Sequence, residues 1–251
     1  MIPLDRDRFS AIAHATHEIC NPISAAKVDR VIGLLDLAPG SRALDIGAGK
    51  AQILARACNR FDLAGTAIER SPLMAQACRD TASRLWRGSI EVLESDAAPA
   101  CQAFAPASFS LILCIGSSHA LGSVDQTLAT AHKLLAPGGW LILGEGYWKR
   151  EPSADFLAAL GSTRDELRTH AENIERLEAA SFTPRWACTA SDDDWDEYEW
   201  RYSFNIESHI EKNPTDIDAQ AMLKRSRDWR ALAQRWGRDT LGFGLYLARK
   251  A

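Results

Sequence analysis

Residues Arg42–Leu54 read RALDIGAGKAQIL. Ala43, Leu44, Asp45 and Ile46 form the end of a buried strand, Gly47 and Gly49 stand where that strand must turn, and Ala51–Asn59 reads as a helix. A strand, a tight glycine turn and a helix start make a small cradle facing an anion or a nucleotide. Glycine supplies backbone conformations that other residues resist and lets a ligand approach the backbone closely. A bare G-x-G occurs in many α/β turns, so its meaning depends on the strands downstream of it.

Those strands end in acids. In GTAIERS (Gly65–Ser71), Thr66, Ala67 and Ile68 form a short apolar strand and Glu69 stands at its carboxyl end, 24 residues after Asp45. An acid about 20 residues past the glycine turn is where a βαβ unit places the acceptor for ribose hydroxyls. The same Glu would also suit a helix start, where the dipole favours it. Asp96 comes after the strand-like Ile90–Leu93. FSLILCIG (Phe109–Gly116) is an almost continuous apolar run, the pattern of a parallel strand buried on both faces. LLAPGGWLILGEG (Leu134–Gly146) reads as helix end, Pro-Gly-Gly turn and strand, closing on Glu145.

This ordered set, over roughly residues 30 to 150, resembles the class I S-adenosylmethionine (SAM) dependent methyltransferases. The resemblance implies that the turn at Gly47 and Gly49 faces the methionine part of SAM, with Asp45 beside it. It also implies that Glu69 holds both ribose hydroxyls and that Asp96 binds the adenine amine, with the Ala97 amide as a ring-nitrogen donor. Arg70, next to Glu69, and Ile115, at the end of the fourth strand, complete the expected cofactor-binding set. Ala51 replaces a third glycine common in the family, and Gln52 stands where a nicotinamide dinucleotide fold would want its last glycine, which counts against an NAD reading. HEICNPIS (His17–Ser24), GEGYW (Gly144–Trp148), WDEYE (Trp195–Glu199) and LGFGLYLAR (Leu241–Arg249) extend the resemblance over nearly the whole chain, to poorly characterised bacterial SAM-dependent methyltransferases of small molecules.

With 46% apolar residues the 251-residue chain can bury a sizeable core without a covalent staple. A net charge of −4 counts against a general binder of nucleic acid or anionic membranes. The six cysteines (Cys20, Cys58, Cys78, Cys101, Cys114 and Cys188) form no C-x-x-C pair and read as isolated thiols in a reducing compartment, so neither disulfides nor a metal site is expected. MIPLDRDRFS lacks the charged-then-apolar signal pattern, and no apolar stretch reaches ~18 residues, so a cytoplasmic protein with no membrane span is expected. A monomer or a homodimer fits equally.

The expected architecture is α/β: a Rossmann-like, seven-stranded, mostly parallel sheet with helices on both faces, in one domain spanning 1–251. Residues 1–36 are expected to form an N-terminal helical lid segment, 37–190 the SAM-binding core, 191–239 a helical cover inserted before the last strand, and 240–251 that strand. Within these, Leu4–Glu18 reads as helical, Ser24 as the cap of a helix over Ala25–Leu35, and Thr163–Glu166 as a capping box that starts a helix running to Ala180. The insertion opens on an acidic run, Asp192–Asp194 with Asp196 and Glu197, which reads as a solvated helix start. Met222, Trp229 and Trp236 recur every seven residues on a helix expected from Ile217 to Trp236. Packing against the body explains such a stripe; the concentration of tryptophan there (Trp195, Trp200, Trp229 and Trp236) also suits a cover over the acceptor pocket.

Methyl transfer is an in-line displacement that needs alignment and exclusion of water; oxygen and nitrogen nucleophiles also call for a base. The expected catalytic set is His119 in IGSSHALG, Glu145 and Tyr147, beside the fourth and fifth strand ends. Each has a structural alternative: a helix-start histidine, a packed or capping acid, a core aromatic. His14 and His17 read as surface residues or as part of a lid. The functional expectation is SAM-dependent methylation of a small molecule, with S-adenosylhomocysteine (SAH) as product. The alternatives are a non-catalytic SAM-binding regulatory protein and a dinucleotide-dependent oxidoreductase.

Overall fold

The alternating apolar runs become one seven-stranded sheet. The computed structural model describes residues 4–251. Its strands are β1 (Arg42–Ile46), β2 (Ala64–Glu69), β3 (Ser89–Glu94), β4 (Phe109–Ile115), β5 (Leu135–Trp148), β6 (Phe182–Thr189) and β7 (Leu241–Lys250), in the order β3-β2-β1-β4-β5-β7-β6. β1 to β5 pair in parallel, and β7 runs antiparallel to both its neighbours. The Rossmann-like, mostly parallel sheet expected from the sequence is therefore the observed fold.

The helices are α1 (Arg6–Ala13), α2 (Ala25–Ile32), α3 (Gln52–Phe61), α4 (Pro72–Ala82), α5 (Ala97–Gln102), α6 (Val124–Leu134), α7 (Ala154–Leu160), α8 (His170–Ala179), α9 (Asp192–Lys212), α10 (Ala219–Leu232) and the short α11 (Arg238–Thr240). Apolar residues three and four apart give α2 a face of Val28, Val31 and Ile32, buried with Leu54 and Cys58 of α3 against one side of the sheet. Each such aliphatic side chain stabilises the fold by about 1.5–3 kcal/mol. Cys101, Leu128, Leu134 and Leu177 pack α5, α6 and α8 against the other side. Alternation along β5 sends Trp140 and Ile142 to the first side and Leu141 and Leu143 to the second.

Some local expectations are corrected. The first helix covers only Arg6–Ala13 rather than Leu4–Glu18, and its N-cap Asp5 accepts hydrogen bonds from the amides of Asp7 and Arg8. Ser24 precedes α2 without a side-chain cap bond. The capping box at Thr163 and Glu166 forms but governs only a 3₁₀ turn, Arg164–Glu166. A second box, Thr169 with Glu172, starts α8. The break between them serves the sheet, since Arg168 bridges to Tyr147 and its carbonyl takes the Trp148 amide at 2.8 Å. The helix expected to reach Trp236 ends at Leu232 and runs into a π-helical turn, Ala233–Gly237.

Residues 191–239 leave the sheet after the carboxyl end of β6 and return at the start of β7, and the Ala190 amide donates to the Phe243 carbonyl at 2.8 Å where the two ends meet. α9 crosses α1, and Phe9, Ala13, Ile206 and Met222 form a small core between α1, α9 and α10. The first three residues of the N-terminal segment lie outside the described residues. The acidic run at the start of α9 is not simply solvated. Lys27 of α2 holds Asp194 and Lys149 lies 3.3 Å from Asp192, so the start of the insertion is pinned to the body, while Arg238, 3.1 Å from Asp196, ties the insertion's end to its start.

Candidate active site

The strand order reverses between β1 and β4, and loops that part at such a switch point open a crevice beyond the carboxyl ends of the strands. A cavity of about 430 Å³ lies there, well within the range of roughly 300–1,000 Å³ typical of small-molecule sites. Asp45 and Gly47–Gly49 at the end of β1, Glu69 and Arg70 at the end of β2, Asp96 and Ala97 after β3, and Ile115, Ser117 and His119 at the end of β4 all line it. The sequence-expected cofactor set is thus brought together in one place.

The glycine turn is built by close approach. Gly47 has φ +70°, and a Cβ there would stand 2.5 Å from the Cβ of Ser117. Ser117 in turn donates its hydroxyl to the carbonyl of Ile46 at 2.5 Å, tying the end of β4 to the end of β1. Gly49 has φ +56°, and its amide donates to Oε2 of Glu69 at 2.8 Å. Oε1 of Glu69 accepts the amide of Ser71, also at 2.8 Å. Each oxygen of Glu69 therefore spends one lone pair on the backbone and retains another. Ala51 takes a left-handed backbone, φ 53°, the conformation that suits the third glycine expected at this position from the resemblance.

Asp45 is 5% exposed, and its carboxylate accepts no hydrogen bond among the described residues. Burial, together with the neighbouring Glu69 charge, pushes its carboxyl up to about 7. Such a group is completed by a cationic or hydrogen-bonding ligand. Asp96 caps the start of α5 without using its side chain in a cap bond.

The three expected catalytic residues are placed differently. His119 is exposed within the 3₁₀ turn Ser118–Leu121 and lines the cavity. Glu145 and Tyr147 do not line it. Their parity along β5 sends them toward α6 and α8, with Leu141 and Leu143. Glu145 accepts from the Ser118 hydroxyl and from its neighbour's amide at Gly146. Tyr147 is 8% exposed, its ring lies where a Cβ on Gly242 would be, and it packs 5.4 Å from the ring of His170. No cluster of three or more His, Cys, Asp or Glu disposed to hold a metal occurs among the described residues. No helix there is long and apolar enough to cross a membrane. All six cysteines are free.

The N-terminal segment contributes what sequence reasoning missed. Far from lying on the surface, His17 is 6% exposed, and its Nε2 lies 3.0 Å from the Tyr198 carbonyl. His14 lines the cavity, its Nε2 is 2.9 Å from the Tyr198 hydroxyl, and burial lowers its pKa to about 4. Lys50, the last residue of GAGK, donates to the carbonyls of His14, Ala15 and His17 at 2.6, 3.0 and 2.8 Å. The one cue in the sequence was HEICNPIS, whose Cys20 and Asn21 also line the cavity.

Residues 44–143 match the family described as Methyltransferase domain. The uncharacterized protein YjhP of Escherichia coli K12 is 25% identical over 247 residues, which is 97% of this chain and 98% of that protein. A SAM-dependent methyltransferase of Geobacter sulfurreducens, solved in complex with SAH, superposes with a TM-score of 0.89 over 100% of both chains at 23% identity. One from Thiobacillus denitrificans, also in complex with SAH, gives 0.88 over 99% of this chain and 100% of the other at 24% identity. The chain has the fold of these SAM-dependent methyltransferases, and the part of it that matches the methyltransferase domain, residues 44–143, holds most of β1, all of β2 to β4 and most of β5.

Proposed function

We propose that this chain transfers the methyl group of SAM to a small-molecule acceptor. The observation that carries the reading is the convergence of three carboxylates, Asp45, Glu69 and Asp96, from three successive strand ends onto one cavity floored by a glycine turn. The residues fit the cofactor: Asp45 supplies an unpartnered buried carboxylate for an ammonium, and Glu69 keeps a free lone pair on each oxygen for a pair of ribose hydroxyls. Asp96 and the Ala97 amide, at the open start of α5, suit an aminopurine edge. Arg70 and Ile115 line the same wall. When bound, SAM supplies an electrophilic methyl carbon on a sulfonium, a neutral leaving group once the carbon is attacked.

The chain's own contribution is to align the acceptor and exclude water. Segments 1–36 and 191–239 act as the covers in this reading, supported by the contacts of His14 and His17 with Tyr198. His119 serves as base or orienting donor. Glu145 acts behind it as a positioning residue through Ser118, and Tyr147 as a packing partner of the β5 end. Calorimetric titration with SAH and with NAD, then transfer of labelled methyl from SAM in an acceptor screen, tests the proposal. SAH binding with no NAD binding, and label transfer to a small molecule, is the expected result. Failure to bind SAH overturns it.

A further inference from the structure

A second cavity, of about 1260 Å³, opens between α1, the end of α7, α9 and α10, and it shares His14 with the first. Its walls are largely aromatic and aliphatic: Phe9, Tyr198, Tyr202, Trp229, Leu160 and Leu232. The charged groups around it are nearly all matched. Asp218 takes a guanidinium nitrogen of Arg8 at 2.9 Å, Asp228 takes the ammonium of Lys224 at 2.5 Å, and the Arg225 guanidinium lies 5.4 Å from the ring centre of Phe9.

Glu199 is the exception. It is partly buried, and among the described residues no cation lies within 4 Å of it. Its side-chain partner is the indole N–H of Trp229, which donates to Oε2 at 2.6 Å. Burial pushes this carboxyl up to about 7. A carboxylate taken from water with one hydrogen bond and no counter-charge is electrostatically incomplete. Aromatic faces beside it attract a cation and repel an anion.

We propose that this second cavity is the acceptor site and that it selects a cationic amphiphile, whose ammonium sits at Glu199 between Tyr198, Tyr202 and Trp229 and whose apolar part runs along Phe9, Leu160 and Leu232. The proposal rests on the methyl-transfer reading, and its structural link to the cofactor cleft is His14, which lines both cavities. It goes beyond that reading by fixing the charge and the polarity of the acceptor.

The probes are decyltrimethylammonium, decanoate and decanol, matched in chain length and titrated below their micellar concentrations into the full chain, with and without SAH. Decyltrimethylammonium is expected to bind at one site, at least tenfold more tightly than either of the others. Glu199→Gln is expected to weaken that binding tenfold or more and to leave decanol unaffected. Trp229→Phe, which keeps the wall and removes the donor, reports on the cavity if Glu199→Gln fails to fold. Equal binding of the three probes, binding of none, or cation binding unchanged in a folded Glu199→Gln variant would overturn the proposal. SAH titration of the same samples keeps the two ideas apart: loss of SAH binding strikes the methyl-transfer reading, while selectivity among the three probes in SAH-free protein judges the cation site.

Discussion

Lys50 holds the carbonyl oxygen of His14 at 2.6 Å, so the side chain that ends the glycine turn also fastens the N-terminal segment that lines the cleft. Its ammonium has three carbonyl partners there, and burial lowers its pKa. Hydrogen bonds to a charged group contribute roughly 1.5–3 kcal/mol. Lys50→Met should therefore leave the sheet intact, speed hydrogen exchange across residues 5–23 and weaken SAH binding about tenfold. Unchanged exchange in a folded variant would show that this segment is held by α9 alone.

Glu69 accepts two backbone amides, one from the glycine turn and one from the start of α4, before any ligand binds. Glu69→Ala removes both of these bonds and the proposed diol contact. Charge-assisted bonds of this kind are worth roughly 1.5–3 kcal/mol. SAH affinity should fall at least tenfold, with only a modest drop in melting temperature. Unaltered affinity by calorimetry would remove Glu69 from the cofactor site.

Asp45 carries a signature in pH. Its carboxyl is pushed from an ordinary 3.8 up to about 7. Between those values the folded protein holds a proton that the unfolded chain releases, so this group's contribution to stability falls as pH rises through the interval. Asp45→Asn, neutral throughout, should match wild type below pH 4 and exceed it by about 2–4 kcal/mol at pH 8 in denaturant melts without ligand. His14, whose pKa is lowered to about 4, contributes with the opposite sign in the same window, so the difference between the two proteins is the quantity to track. Binding SAH near pH 6 should release a proton in wild type and none in Asp45→Asn. Calorimetry in buffers of different ionisation enthalpy reads this, and identical proton release by the two proteins would separate Asp45 from the ligand's ammonium.

His119 is exposed in the turn after β4 and lines the cleft. If it is the base, His119→Ala should leave SAH binding nearly intact and lower turnover about 10²–10⁴-fold. His119→Asn retains hydrogen bonding without accepting a proton at neutral pH. Rescue by Asn identifies an orienting role, and full activity in both variants assigns His119 a structural one.

Most of the sheet was legible because its strands are apolar runs closed by Asp45, Glu69 and Asp96, and period and punctuation alone place those acids at one edge. The facing of Glu145 and Tyr147 was also available: two-residue alternation from Leu141 and Leu143 carries them to the α6 and α8 side, away from the cleft. The helix break before Thr169 was not, since it answers to a backbone bond between Trp148 and Arg168. Nor was the role of His14, which depends on Tyr198, 184 residues further along. No local pattern in α1 records that meeting.

The β6–β7 insertion begins and ends at neighbouring points, where Ala190 is bonded to Phe243. A segment attached at a single doorway is interchangeable in principle. The strands and turns that line the first cavity precede it in the chain, so in the proposed reading a different stretch of comparable span, spliced between 190 and 241 and matched to α1, would present new walls to the acceptor over an unaltered cleft. The proposed function thus makes acceptor choice and cofactor choice separable inheritances, carried by different parts of one polypeptide.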